Sequence, residues 1–247
     1  MGRRATGRAA ARVGVLVTIS VLVAGWFALE WDGAPWASSS SDASAERSAP
    51  TSAAPATPVS VAPPPPTTAA PAPVPTSGSG QLVGAPGQGP VVGNGPLRTY
   101  SVQVEVETGV DPAQFAATVD AVLGDPRSWT GGGGLALQRV EQGGSFTVVL
   151  ATAATTDALC VPLQTNGIFS CFQGGRSVVN LSRWLAPPDF WTAGLDGYRQ
   201  YVVNHEIGHA LGHQHTACPG AGAVAPVMMQ QTKGLDGCLP NPWPVAT

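Results

Sequence analysis

Tyr100, Val102, Val104 and Val106 alternate with Ser101, Gln103, Glu105 and Glu107. This period of two predicts a half-buried β-strand, with ordered structure beginning near Leu97. Asp111-Pro112 reads as an N-cap followed by the first helical residue. Phe115, Val119 and Val122 then recur at helical spacing, so a helix is expected there and should stop by Gly124, before Asp125-Pro126. The glycines at 131–134 predict a loop. Residues 135–140 and 145–151 predict two strands around a turn at Gly143-Gly144. Residues 168–172 and 177–181 predict two more, separated by Gly174-Gly175. A last helix is expected over 197–211 with Asp196 as its N-cap. Val202, Val203, Ile207, Ala210 and Leu211 make it apolar nearly all round, so it should be central and buried.

Upstream the pattern changes. Arg3, Arg4, Arg8 and Arg12 precede an uncharged, mainly apolar run at 13–29, which Glu30 and Asp32 follow. A basic segment ahead of an apolar run keeps the N-terminus in the cytoplasm. The run is longer than most signal-peptide cores and just short of a comfortable membrane span. The downstream A-x-A site at Ala43 to Ala45 lies far from it. An uncleaved single-span anchor is the expectation, with a cleaved signal peptide and secretion as the alternative; either way the rest lies outside the cytoplasm. Residues 37–96 are mainly Pro, Ala, Ser, Thr and Gly, with three charged residues, Asp42, Glu46 and Arg47. Such a segment buries too little apolar surface to offset its ordering entropy and should be disordered. It reads as a stalk holding a domain away from the membrane, or else as a proline-rich recognition ligand. The expected division is therefore 1–36 basic segment and anchor, 37–96 linker, and 97–247 domain. With 31 glycines, 24 prolines and 11% charged residues among 247, one core over the whole length is excluded. From residue 97 onward seven basic and eleven acidic residues give a net charge of −4, which argues against a nucleic-acid partner.

The chemistry concentrates in residues 202–215, V-V-N-H-E-I-G-H-A-L-G-H-Q-H, which hold all four histidines of the chain. His205 and His209 stand at i and i+4, so on a helix both imidazoles project from one face and can reach a single metal ion. Glu206 is rotated about 100° around the axis. It leans beside the metal, where a carboxylate can hold water and take its proton. Gly212 suits a helix end that needs a residue at positive φ, and the chain can then return His215 as a third ligand. A bare H-E-x-x-H occurs by chance; the full H-E-x-x-H-x-x-G-x-x-H, each spacing mechanically motivated, predicts a zinc site.

On these residues the sequence resembles the metzincin clan of zinc endopeptidases. It most resembles an uncharacterised bacterial family of exported metzincin-like domains, domain of unknown function 3152. The members share the H-E-x-G-H-x-L-G-H-x-H run and a downstream C-P-G-A-G…P-V-M block, here residues 218–228. The resemblance covers about the last 150 residues. It implies an α+β metzincin-like zincin domain, a twisted mixed sheet with two main helices, and zinc (Zn2+) chemistry, with no substrate to carry over. In that clan an edge strand beside the cleft pairs with the substrate backbone, a part expected here for 168–172.

The clan pattern selects His205, His209 and His215 as ligands and leaves His213 to solvent or an outer role. Three imidazoles leave the fourth position of a tetrahedral zinc to water, whose pKa falls to about 7. Glu206 is then the general base and afterwards the proton donor to the leaving amine. Met228 resembles the methionine-bearing turn beneath the metal, with Met229 as the other choice; a methionine there packs rather than ligates. Many clan members have an assisting tyrosine after that turn, where Gln230 to Thr232 stand here, which leaves the oxyanion donor besides zinc open. Tyr201, one turn before His205, is an assisting candidate or a packing residue, and Trp184, Trp191 and Trp243 are expected in the core or cleft wall. Cys160, Cys171, Cys218 and Cys238 form an even set in an exported chain, which predicts disulfides. Of the three connectivities the sequence-local one is expected, Cys160 with Cys171 and Cys218 with Cys238; Cys218 as a zinc ligand is the alternative. The expected function is a zinc metalloendopeptidase acting as a monomer on peptide or protein substrates. A non-catalytic zinc-holding wall-associated module, or a hydrolase of cell-wall peptides, are the alternatives.

Overall fold

The alternation that starts at Leu97 builds the strand on which the sheet is laid out. The computed structural model of the chain describes residues 73–245. In it, β3 (Leu97–Glu105) turns Tyr100, Val102 and Val104 into the main core. β4 (Leu135–Arg139) pairs parallel with its first half and β5 (Phe146–Ala151) parallel with its second, on the opposite side. β7 (Arg176–Asn180) lies parallel beyond β5, and β6 (Cys171–Gln173) closes that edge antiparallel to β7. Two segments ahead of Leu97 also belong to this sheet. β1 (Leu82–Gly84) runs antiparallel to the far end of β3, and β2 (Val91–Asn94) antiparallel to β4. The described residues thus form one seven-stranded mixed sheet with four helices, an α+β fold.

Two expectations need correction. The domain does not begin at 97, and the expected linker over 37–96 is strand in part. Its Pro- and Gly-rich composition conceals two short strands, whose backbone groups are satisfied by the edges of β3 and β4 rather than by water. β4 and β5 flank the turn at Gly143-Gly144 as expected, but they do not pair with each other. Val140 N–H bonds Tyr100 O at 2.8 Å and Ser145 N–H bonds Thr99 O at 2.8 Å, so the turn hooks over β3, which lies between them. The strand expected over 168–172 starts only at Cys171. The residues before it turn, with Ile168 and Phe169 N–H both bonded to Thr165 O. The expected anchor over 13–29 lies outside the described residues; among these, no helix is long and apolar enough to cross a membrane.

α1 (Pro112–Gly124) starts and stops where the sequence places it, with the Asp111 carboxylate accepting from Ala113 N–H at 2.8 Å. It packs Phe115, Ala116, Val119 and Leu123 on the sheet face that α4 (Gly194–Ala210) also covers. The period of two divides the sheet cleanly: Phe146, Val148 and Leu150 face these helices, while Val149 and Ala151 face α2 (Ala153–Cys160) on the other side. α2 and α3 (Leu181–Leu185) span eight and five residues, too short to show a 3.6-residue period in the sequence. Trp184, Trp191 and Trp243 are buried in the main core. Both disulfides pair as expected: Cys160–Cys171 ties the end of α2 to the start of β6, and Cys218–Cys238 closes the C-terminal segment.

One carboxylate fastens the N-terminal segment to the sheet. Glu105, fully buried at the end of β3, accepts from Gly80 N–H at 3.0 Å, Thr152 N–H at 2.7 Å and Thr155 Oγ1 at 2.6 Å. It thereby caps the start of α2 from outside the helix, where the Thr152 side chain makes no cap of its own. Burial by itself pushes this carboxyl up, but the hydrogen bonds from Thr155, Thr152 and Gly80 outweigh it and hold the pKa below the ordinary glutamate value. A depressed folded-state pKa gives stability that is complete above the unfolded value and is lost as pH falls through the folded one. Glu105→Gln is therefore expected to cost about 1.5–3 kcal/mol at neutral pH. The loss should shrink in acid, as measured by urea unfolding from pH 7 to pH 3; a loss independent of pH contradicts this role.

Candidate metal centre

α4 carries the site, and almost nothing of it is free to point elsewhere. From Tyr201 to Gly208 every residue is buried. The helix starts at Gly194, one turn earlier than the sequence suggests, so Asp196 lies in its first turn and is not the N-cap. Its polar side chains are satisfied by other segments. Asn204 accepts from Ser128 Oγ at 2.8 Å and donates to Pro242 O at 2.9 Å, while its own carbonyl accepts from Trp129 Nε1 at 2.9 Å. Ser177 Oγ, on β7, donates to Glu206 O at 3.0 Å.

The exit of the helix follows the spacing argument. Gly212 sits at φ +99°. Gly212 N–H bonds His209 O at 3.0 Å and His213 N–H bonds Gly208 O at 2.9 Å, the paired bonds of a Schellman end. Arg98 Nη1, from β3, donates to Ala210 O at 3.1 Å, setting a cation at the helix C-terminus. The reversed chain returns His215 to the two helical imidazoles. One ring nitrogen from each of His205, His209 and His215 falls within 4.8 Å of the others, and the Nε2 atoms of His209 and His215 are 3.0 Å apart. Two nitrogens held about 2.0–2.1 Å from one zinc at a tetrahedral angle stand about 3.3–3.4 Å apart. The spacing found is close to that.

The tautomers agree with it. His205 Nδ1 lies 2.9 Å from Val227 O and His209 Nδ1 lies 2.9 Å from His213 O. A carbonyl can only accept, so each Nδ1 carries the proton and each Nε2 presents a lone pair to the cluster. Burial holds all three histidines below the ordinary value, His205 down to about 3, so they are the neutral imidazoles that metal ligation requires. Beside them Glu206 Oε2 is buried with no hydrogen-bond partner, and burial raises its carboxyl to about 8. A nearby cation lowers such a value again. These donors fit a tetrahedral N3 metal site with one open position.

His213 is not part of the cluster. It stacks on Trp129 at 4.3 Å between ring centroids and contributes only its carbonyl to His209. Tyr201 is a packing residue: its hydroxyl donates to Met229 O at 2.9 Å and accepts from Gln231 N–H at 2.8 Å, fixing the turn below the site. Met228 packs against α4 at Gly208, whereas Met229 faces a separate cluster with Ala225 and Cys238. Cys218 is in a disulfide and is not a ligand.

The cluster forms the floor of a cleft of about 470 Å³. Phe169 and Phe172 stand on one wall and Gln230, Thr232 and Lys233 on the other. β6, an edge strand of the sheet among the described residues, borders it. Sequence reasoning missed Trp129, Arg98, the Val227 carbonyl and Lys233. Only the carbonyl had a signal, the P-V-M block that also carries Met228.

Gly208 explains itself through contact. A Cβ there would collide with Met228 Sδ and stand 2.7 Å from Trp129 Cζ2. Gly208→Ala is expected to destabilise the chain by about 1–3 kcal/mol through overpacking, and to weaken metal binding because both ligand-bearing turns flank the intrusion. Thermal unfolding and metal titration check this; an unchanged Tm contradicts the packing.

The family model described as "Protein of unknown function (DUF3152)" matches residues 68–242. Its start ahead of β1 agrees with a domain that includes the first two strands. No curated protein and no solved structure matches the chain.

Proposed function

This chain belongs to the family of proteins of unknown function DUF3152, and we propose that its domain is a zinc-dependent metalloendopeptidase that hydrolyses peptide bonds with Glu206 as general base. The observation that carries this reading is the convergence of three neutral imidazoles beside an unpartnered carboxylate oxygen, at the floor of an open cleft. His205, His209 and His215 would hold the metal. Zinc, when bound, supplies an electrophile that polarises a carbonyl and acidifies water.

The remaining work falls to the chain. The Glu206 carboxylate takes the proton of the attacking water and passes it to the leaving amine as the C–N bond breaks. Val227 O and His213 O hold two imidazoles in the tautomer that exposes Nε2. β6 offers a free strand edge beside the cleft, to which an extended peptide can add. The metzincin-like reading of the fold draws support from the order that remains once β1, β2, α2 and α3 are set aside: strand, helix, four strands, helix, with the edge strand at the cleft. Met228 beneath the metal-bearing helix fits the same reading. Placement outside the cytoplasm, on an N-terminal anchor, is part of the proposal; the two disulfides favour an oxidising compartment.

A non-catalytic zinc-holding module is the second reading, favoured by one observation. All three tyrosine hydroxyls already have partners within the chain: Tyr100 on Asp120, Tyr198 on Thr232, and Tyr201 on Met229 and Gln231. No tyrosine is thus left to assist an oxyanion.

The test is metal content together with peptide cleavage. The native chain is expected to hold one zinc and to cut members of a broad peptide library, with activity lost to chelator and restored by zinc. Glu206→Gln should keep the zinc and lower cleavage about 10²–10⁴-fold, while His215→Ala should lose the zinc. Unchanged cleavage by Glu206→Gln refutes the mechanism, and zinc without any cleavage by the native chain favours the module.

A further inference from the structure

We propose that Lys233 is a specificity-determining residue that anchors a substrate carboxylate at one end of the cleft; this rests on the peptidase reading above. Apart from the histidines, Lys233 is the one basic side chain lining the cleft among the described residues, and Glu206 the one carboxylate. The other polar lining groups are neutral amides and hydroxyls. Its ammonium donates to Gln230 Oε1 at 3.3 Å and sits 5.3 Å from the centroid of the Phe169 ring on the facing wall. It forms an ion pair with no carboxylate among the described residues. An ammonium has three N–H donors. A neutral amide uses one of them and a ring face supplies only diffuse attraction, so donors and a full charge remain for a ligand.

The position is preorganised. Lys233 N–H bonds Gln230 O at 2.9 Å in the turn that follows Met229. That turn is pinned by the Tyr201 hydroxyl and by buried Gln231, which donates to Asn241 O at 2.8 Å and accepts from Asn241 N–H at 2.9 Å. Lys233 also borders a smaller, separate cavity that His215, Gln230 and Asp236 help to line; Asp236 makes no ion pair with it. A substrate residue reaching this side of the cleft meets an ammonium with N–H donors to spare. The group that satisfies it is a carboxylate, through a charge-assisted hydrogen bond. Two sources share that chemistry, an Asp or Glu side chain and a free C-terminus.

The full chain, loaded with zinc, is assayed on matched peptides differing only in Glu against Gln, or in a free against an amidated C-terminus. The carboxylate member of one pair is expected to have a kcat/KM about two- to fivefold higher, and the pair that responds identifies the source. Lys233→Met should bring that ratio near one, and Lys233→Glu should shift preference to Lys over Gln. Both variants should melt with the native chain, since the side chain is exposed. Ratios near one for the native chain, or a ratio that Lys233→Met leaves unchanged, overturn the anchor and leave the peptidase reading standing. Should the native chain cut none of these peptides, the peptidase reading fails instead. The same peptides titrated against the zinc-loaded chain then decide the anchor. Equal affinity within both pairs overturns it; tighter carboxylate binding that weakens in Lys233→Met upholds it.

Discussion

The burial of α4 is the constraint on which the rest depends. A helix enclosed from Tyr201 to Gly208 cannot leave Asn204, His205 and Glu206 to water, so the surrounding chain must supply their partners. Ser128, Trp129 and Pro242 meet Asn204, and the Val227 carbonyl meets His205. Each of these bonds also locates a loop: 127–130 on one side, 226–231 below, the C-terminal segment behind. Among the buried side-chain atoms of this helix only Glu206 Oε2 is left without a partner, and Glu206 lines the cleft. In a core where the other polar groups of this helix are paired, an orphaned carboxylate oxygen is a place kept for a ligand or a proton.

The site is rigid because its two halves are fastened independently. The Schellman end at Gly212 and the Arg98 bond to Ala210 O fix the direction in which the chain leaves α4, and thus where His215 arrives. Thr216 N–H then bonds Met228 O at 3.1 Å, joining the returning segment to the turn beneath the helix. The Cys218–Cys238 disulfide encloses that turn together with Gln230, Thr232 and Lys233, so one wall of the cleft is covalently closed. The other wall is closed by Cys160–Cys171 at the start of the edge strand. The positions of the three imidazoles and the width of the cleft are set by the fold.

What was legible in the sequence is what has a short period or a fixed spacing. Tyr100 to Val106 announced β3, Asp111-Pro112 announced the start of α1, and the i, i+4, i+10 histidines with Gly212 announced the cluster. What was not legible depends on partners distant in the chain. Leu82–Gly84 and Val91–Asn94 are strands only because β3 and β4 offer them edges. The turn at Gly143-Gly144 looks like a hairpin until β3 is placed between its arms. Gly208 shows its reason only when Met228 and Trp129 are packed on it. Lys233 carries no motif, and its interest lies in what faces it across the cleft.

The central claim is that His205, His209 and His215 bind one zinc ion and leave a position open. Zinc K-edge X-ray absorption on the chain carrying one equivalent of zinc tests it most directly. The account predicts three imidazole nitrogens at about 2.0–2.1 Å and one further light atom from solvent. A sulfur in the coordination shell, a fourth protein ligand, or a chain that retains no zinc would contradict it.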